Sequence, residues 1–325
     1  MTTFPKIELH VHFEGTVRPA TLRELAQRNG VSARETDLDE FGDFAGFIRV
    51  FESRLDALKY ADDFRRIVVE YAEEAARHGA VYLEGIFTPG LWRGLDTDEV
   101  FSGYCDGARD ARERYGVEIR LTPDIPGPYS LAEAQRVVDY ALEYRNRGIV
   151  GVGLAGLRYD PEQFVSVFAR VRAEGLASVP HAGEHAGAES VRAALDVLGA
   201  DRIRHGIRAA DDPALLAELA ERGIVCDVCP ISNVRTGAVA ALEAHPLPKM
   251  VGAGVRCSIS TDDPAIFDTD LTREYAVAAA LGVEPRAAYE AGVAGATCDE
   301  ATKQRLREIG ETFDWSPPAG AAVLS

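Results

Sequence analysis

Eight short apolar runs, each followed by a stretch whose apolar residues recur at three- and four-residue spacing, constrain this chain's fold more than any other feature. They predict strands at Lys6–His12, Val81–Phe87, Glu118–Thr122, Gly151–Leu154, Ser178–His181, Arg202–His205, Ile224–Val228 and Arg256–Ser260. The intervening stretches predict helices, clearest at Leu131–Arg145, Pro161–Glu174, Ala188–Leu198 and Pro213–Arg222. Strands that alternate with helices pair in parallel, and eight is the number that closes a (β/α)8 TIM barrel. A doubly wound open sheet would place a Gly-rich phosphate turn after an early strand, and no such turn is present. The segment from Leu38 to Glu74 is too long for one connection and predicts extra helices covering the C-terminal mouth. One barrel domain spanning 1–325 is expected, with the Trp315-Ser-Pro-Pro segment fraying from the last helix.

Charge and cysteine usage narrow the partners. A net charge of −17 argues against nucleic acid or an anionic membrane surface, leaving a small molecule as the expected ligand. Five cysteines do not read as a disulfide framework. No basic segment followed by a long apolar run opens the sequence, and no stretch of about 18 apolar residues could span a membrane. A cytoplasmic protein is expected.

The residues out of character for a core sit where strands end. The first strand closes on His10-Val-His12, whose i and i+2 side chains share a face. Later strands end in His181-Ala-Gly-Glu184, Arg204-His205-Gly206 and Ser260-Thr-Asp262-Asp263-Pro264. In a parallel barrel the C-terminal strand ends build the active site. Three histidines and a carboxylate converging there suit zinc, although iron or manganese could occupy such a set.

Each fragment alone has a plainer reading. His-x-His among seven histidines is about an even choice between ligand and structural pair. Asp262-Asp263-Pro264 could cap a helix, His205-Gly206 could be an ordinary strand end, and Glu184 could be a first-turn acid. Together they are harder to dismiss, because four strands end in metal-type or acid/base side chains. His78 and His245 read as structural, and His185 has no evident role. Cys226 and Cys229 would face opposite sides of a regular strand and read as packing. The fourth strand, Gly151-Val-Gly-Leu-Ala-Gly156, offers neither Lys nor acid for a second metal, so one ion per chain is expected.

As a set, the segments PKIELHVHFEGTVRP, GVGLAG, HAGE, RIRHGI, CPISNVRTG and STDDPAIF, spanning residues 5–267 in order, resemble the adenosine deaminase family of the amidohydrolase superfamily. The resemblance implies that His10, His12, His181 and Asp262 hold zinc. It implies that Glu184 protonates purine N1, that His205 orients and helps deprotonate the attacking water, and that Asp263 meets N7. The Gly156 N–H would face N3. Hydrolytic deamination of a 6-aminopurine nucleoside follows, with Glu184 kept protonated by burial. On the same barrel, zinc-assisted amide or ester hydrolysis is the alternative chemistry, and a non-catalytic binding barrel is a third reading. Another class of zinc deaminase carries P-C-x-x-C, whereas Cys229-Pro230 runs in the reverse order here.

Two departures from the family pattern bear on substrate. Adenosine deaminases usually carry Asp where this chain has Glu14, and adenine deaminases often have Glu, so the free base is an alternative. The family's GxDLAGxE is GVGLAGLR here, with Gly153 for the acid and Arg158 for the Glu. Arg158 either pairs with a surface acid such as Asp160 or meets an acidic group on the substrate. The second case implies a 5′-modified adenosine ending in a carboxylate, such as aminodeoxyfutalosine.

Overall fold

The structure, a computed structural model, describes residues 4–31, 44–89, 94–156 and 159–316. Among them are β1 (Lys6–His12), β2 (Ala80–Phe87), β3 (Glu118–Pro126), β4 (Gly151–Ala155), β5 in two short pieces (Ala177–Ser178 and His181–Ala182), β6 (Arg202–His205), β7 (Val225–Val228) and β8 (Arg256–Ile259). Every neighbouring pair is parallel. β5 is divided because Pro180 has no N–H to give the ladder. Pairing nevertheless continues through it, with Val179 N donating to Val152 O and Arg204 N to Pro180 O, both at 3.0 Å. The ring closes between β8 and β1. There His12 N donates to Asp262 O at 2.8 Å, Asp262 N donates to His10 O at 3.0 Å, and Ser260 Oγ accepts from the N–H groups of Leu9 and His10. The barrel read from the sequence is the barrel observed, although β3 runs four residues past Thr122 because pairing with β4 continues beyond Pro123.

Helix boundaries follow local chemistry. Ser130 and Glu133 form a reciprocal capping box that starts Leu131–Glu143. Asp212 caps Pro213–Arg222, and Gly223, at φ 66°, ends it in a conformation that suits glycine. No helix among the described residues is long and apolar enough to cross a membrane.

Two expectations are corrected. The helical cover expected over 38–74 is only partly a cover. Residues 38–43 lie outside the described residues, and helix Phe44–Leu55 does lean over the mouth. Helix Ala61–Arg77 instead packs along Thr97–Tyr115 in the outer ring, where Gly103 and Gly107 leave no room for a Cβ against Phe64 and Val68. The second correction is at the tail. Trp315 does not fray; its indole sits 6.0 Å from the Phe4 ring and 5.6 Å from Tyr289, and Nε1 donates to Gly310 O. Packing the half-buried indole against neighbouring rings outweighs the pull of the Pro-Pro that follows. Residues 317–325 lie outside the described residues.

Candidate active site

Strand phase decides which side chains reach the mouth, and β1 changes phase. Glu8 faces outward, where Tyr71 donates to it at 2.6 Å, while Ile7 and Leu9 pack inward on Tyr82, Tyr289 and Val293. Between Glu8 and Val11, three steps of β1 stand against two of β2, from Leu83 to Gly85. This β-bulge lets His10 and His12 follow the inward Leu9 onto the barrel axis. Backbone strain aims two more groups. His205 and Asp262 both have φ 64°, a left-handed conformation that residues with a Cβ seldom adopt. Arg202 and Arg204 point inward from alternate positions of β6, so regular extension would turn His205 outward. The turn at His205 and Gly206 returns the imidazole to the mouth.

Four ligand-type atoms meet there. His10 Nε2 and His12 Nε2 lie 3.1 and 3.2 Å from His181 Nε2, and 3.3 and 3.4 Å from Asp262 Oδ1. Ligands about 2.0 Å from a shared zinc ion in tetrahedral array stand about 3.3 Å apart. The tautomers agree with such an ion. His181 Nδ1 has the Leu154 carbonyl at 3.2 Å and His10 Nδ1 the Asp227 carbonyl at 3.5 Å, so both rings place their protons there. Their bare Nε2 atoms then face each other at 3.1 Å with no proton to share, an arrangement that a cation resolves.

Protonation states favour ligation too. Burial lowers His12 to about 3 and holds His181 well below the ordinary histidine value, so both are neutral near pH 7. Burial works against an ionised Asp262, but the histidines around it, His10 first, prevail and keep it well below the usual carboxylate range. Ser232 Oγ donates to Asp262 Oδ2 at 2.6 Å. Asp263 is the opposite case. Burial and the neighbouring Asp262 raise it far above a normal carboxyl, and its Oδ1 has no hydrogen-bond partner.

These groups open onto a cavity of about 670 Å³, in the range of small-molecule sites. His12, His181, Glu184, His205, Asp262, Asp263 and Gly156 all line it, so the structure brings most of the sequence-derived set to one wall. Phe44, Phe47, Ile48 and Phe51 add an apolar side, with the Phe51 ring 6.2 Å from that of His12. Glu184 is not held protonated as the sequence reading expected. Burial pushes its carboxyl up, but His205 and His185, each with Nε2 3.5 Å from one oxygen, bring it below the ordinary value. His185 therefore has a place, against Glu184 and with its ring 4.5 Å from that of Phe44.

Glu14 is not among the residues that line the cavity. It is fully buried behind the wall, accepting from the N–H of Thr88, which lines the cavity. Burial raises it to about 8, and its Oε2 has no hydrogen-bond partner among the described residues. Arg158 lies outside the described residues. His78 caps its helix and meets Thr272, as its position implied. Cys229 is more than packing, because its Sγ lies 3.6 Å from His10 Nδ1, but burial keeps the thiol far above its normal pKa and neutral.

Sequence reasoning missed the inward charges below the site. Arg202 binds Asp227 and Glu84 at 2.6 and 2.7 Å, and Arg204 binds Asp124 and Thr122, all fully buried. Asp124 Oδ2 also lies 3.4 Å from His181 Nδ1. It explains the glycine at 153: a Cβ there would overlap both the Asp124 carboxylate and the Arg204 guanidinium. Gly153→Asp should therefore destabilise the fold by about 1–3 kcal/mol through overpacking. Chemical denaturation measures this, and a variant as stable as wild type would contradict it.

Comparison with known proteins places this geometry. The sequence model of one family, described as adenosine deaminase, matches residues 5–311. An aminodeoxyfutalosine deaminase from Acidothermus cellulolyticus is 48% identical, over 96% of this chain and 92% of its own. The crystal structure of an adenine deaminase from Arthrobacter aurescens superposes with a TM-score of 0.89 at 29% identity, covering 94% of this chain and 98% of that one. An amidohydrolase from Burkholderia ambifaria with bound Zn gives a TM-score of 0.87 at 31% identity, over 95% and 90% of the two chains.

Proposed function

The chain belongs to the adenosine deaminase family, and we propose from that premise that it hydrolyses the 6-amino group of a 5′-modified adenosine of the aminodeoxyfutalosine type, with one zinc ion at His10, His12, His181 and Asp262. The observation that carries the reading is the meeting of three imidazole nitrogens and Asp262 on the same cavity wall as Glu184 and Asp263. A bound zinc ion would supply water acidified from a pKa of 15.7 toward about 7.

The chain's own residues do the rest. Asp263, kept protonated by burial and by Asp262, has a hydrogen to give N7, which is only an acceptor. Glu184 faces N1 and protonates it as water adds to C6, relieving the charge that builds on the ring. N1 as a neighbour favours the protonated carboxyl and so opposes the two imidazoles that hold Glu184 low. One proton of the added water restores Glu184 and the other passes to the amine, so that ammonia leaves the tetrahedral C6 and the 6-oxopurine remains. His205, 2% exposed and 3.5 Å from Glu184, orients the attacking water. The Gly156 N–H, at a left-handed φ of 139° on the cavity rim, is offered to N3.

The apolar side formed by Phe44, Phe47, Ile48 and Phe51 gives a 5′ substituent room beyond the ribose. Arg158 is the sequence's candidate for a carboxylate on that substituent. The free base is the second reading, favoured by the likeness to an adenine deaminase. Comparison of kcat/KM for aminodeoxyfutalosine, adenosine and adenine separates them. The proposal expects the first to lead by at least about tenfold, about 1.4 kcal/mol, and Arg158→Ala to erase that lead. Adenosine or adenine leading, with Arg158→Ala silent, would end the acidic-substituent reading.

A further inference from the structure

His205 is reached from below by two buried residues that the reaction itself does not call on. Asn233, fully buried in helix Pro230–Arg235, has its Nδ2 3.2 Å from His205 Nδ1. Its Oδ1 lies 3.2 Å from Nε2 of His245, a residue 4% exposed in the loop that follows. The far nitrogen of that ring, His245 Nδ1, is 3.0 Å from the backbone N–H of Leu247.

An amide side chain between two imidazoles could face either way, because its oxygen and nitrogen have nearly the same shape. The backbone breaks that symmetry. A peptide N–H only donates, so His245 Nδ1 must accept from Leu247 and carries no proton. A neutral His245 then has its proton on Nε2 and donates it to Asn233 Oδ1. Burial lowers His245 to about 4, which keeps the ring neutral near pH 7. With its oxygen engaged, Asn233 can present only its NH₂ group to His205. His205 Nδ1 must therefore accept, and the ring's proton lies on Nε2, toward Glu184 Oε2 at 3.5 Å and Asp262 Oδ2 at 4.0 Å.

We propose that Asn233 and His245 are positioning residues that transmit the fixed polarity of the Leu247 N–H to His205 and hold it as the Nε2–H tautomer. The proposal deepens the purine-deaminase reading and rests on it for its kinetic part only. A ring so held offers a proton, and not a lone pair, to the oxygen that attacks C6. It steadies negative charge there instead of removing the water's proton as an unbiased imidazole could. This refines the role that the family resemblance implies for His205. It also gives His245, which the sequence assigns to loop structure, a reason to be buried 4% exposed beneath the mouth.

The test is ¹⁵N NMR of the zinc-loaded protein labelled at its seven histidines, with His205 assigned by loss of its signals in His205→Gln. The expected result is an unprotonated Nδ1 and a protonated Nε2 at neutral pH. A protonated Nδ1 in wild type overturns the proposal whatever the activity. Asn233→Asp replaces the donor that faces His205 Nδ1 with an acceptor, so Nδ1 should become protonated and kcat fall about 10–100-fold with KM within about twofold. His245→Gln keeps an amide that can accept from Leu247 and donate to Asn233, and should preserve the wild-type His205 spectrum. His245→Leu, which removes the polarity, should not. Equal His205 spectra in the Gln and Leu variants would also overturn the relay. If the protein proves to act on another substrate class, the spectra still decide the tautomer.

Discussion

Glu184→Gln should lower kcat/KM for the purine roughly 1,000-fold while leaving bound zinc unchanged, within the range that positioned acid catalysis contributes. The reasons are local. Glu184 follows β5 on the cavity wall, and its Oε1 accepts from Thr236 Oγ1 at 3.2 Å, a contact that the Gln amide can keep. The side chain is nearly isosteric, so the cavity and the four ligand-type atoms are undisturbed. What Gln lacks is a transferable proton. It can donate a hydrogen bond to N1 but cannot neutralise the ring as C6 becomes tetrahedral. Ground-state binding should change little, so the loss belongs in kcat. Zinc analysis of the same preparation guards the interpretation. A loss of less than about tenfold, with zinc retained, would show that N1 is not protonated from this position.

How much of this was legible beforehand divides along a physical line. Periodicity showed the barrel, because a strand buried on both faces must be apolar and a helix against it must repeat every three or four residues. The strand-end histidines stood out because polar groups at such positions are costly without a partner. What the sequence could not show were departures from regular geometry. The bulge in β1 that sets the phase of His10 is a matter of register between strands, and the φ of 64° at His205 and Asp262 has no residue-type signature comparable to glycine. Nor could linear spacing reveal partners far apart in the chain. Asp124 and Gly153 make sense only as neighbours across β3 and β4, and Arg204 only against Asp124. His245 looked like a loop residue because its partner Asn233 lies on a different element. At Glu14 the segment showed the residue but not its depth, because the burial of its side chain behind Thr88 is a packing fact. Trp315 was misjudged because the prolines after it were weighed and the aromatic neighbours before it could not be.

The second large effect is loss of the metal. Chelation should lower ammonia release roughly 1,000-fold or more, because without a Lewis acid the neutral imidazoles and the ionised Asp262 have nothing to acidify water with. The barrel should survive, since Arg202, Glu84 and Asp227 are satisfied among themselves below the site. Titrating zinc back into the metal-free protein, with ammonia release from the purine followed at each addition, tests the account most directly. The account predicts a linear rise that reaches its plateau at one zinc per chain, with the 6-oxopurine as product. A plateau at two zinc ions, undiminished release from metal-free protein, or a product that keeps its amino group would contradict it.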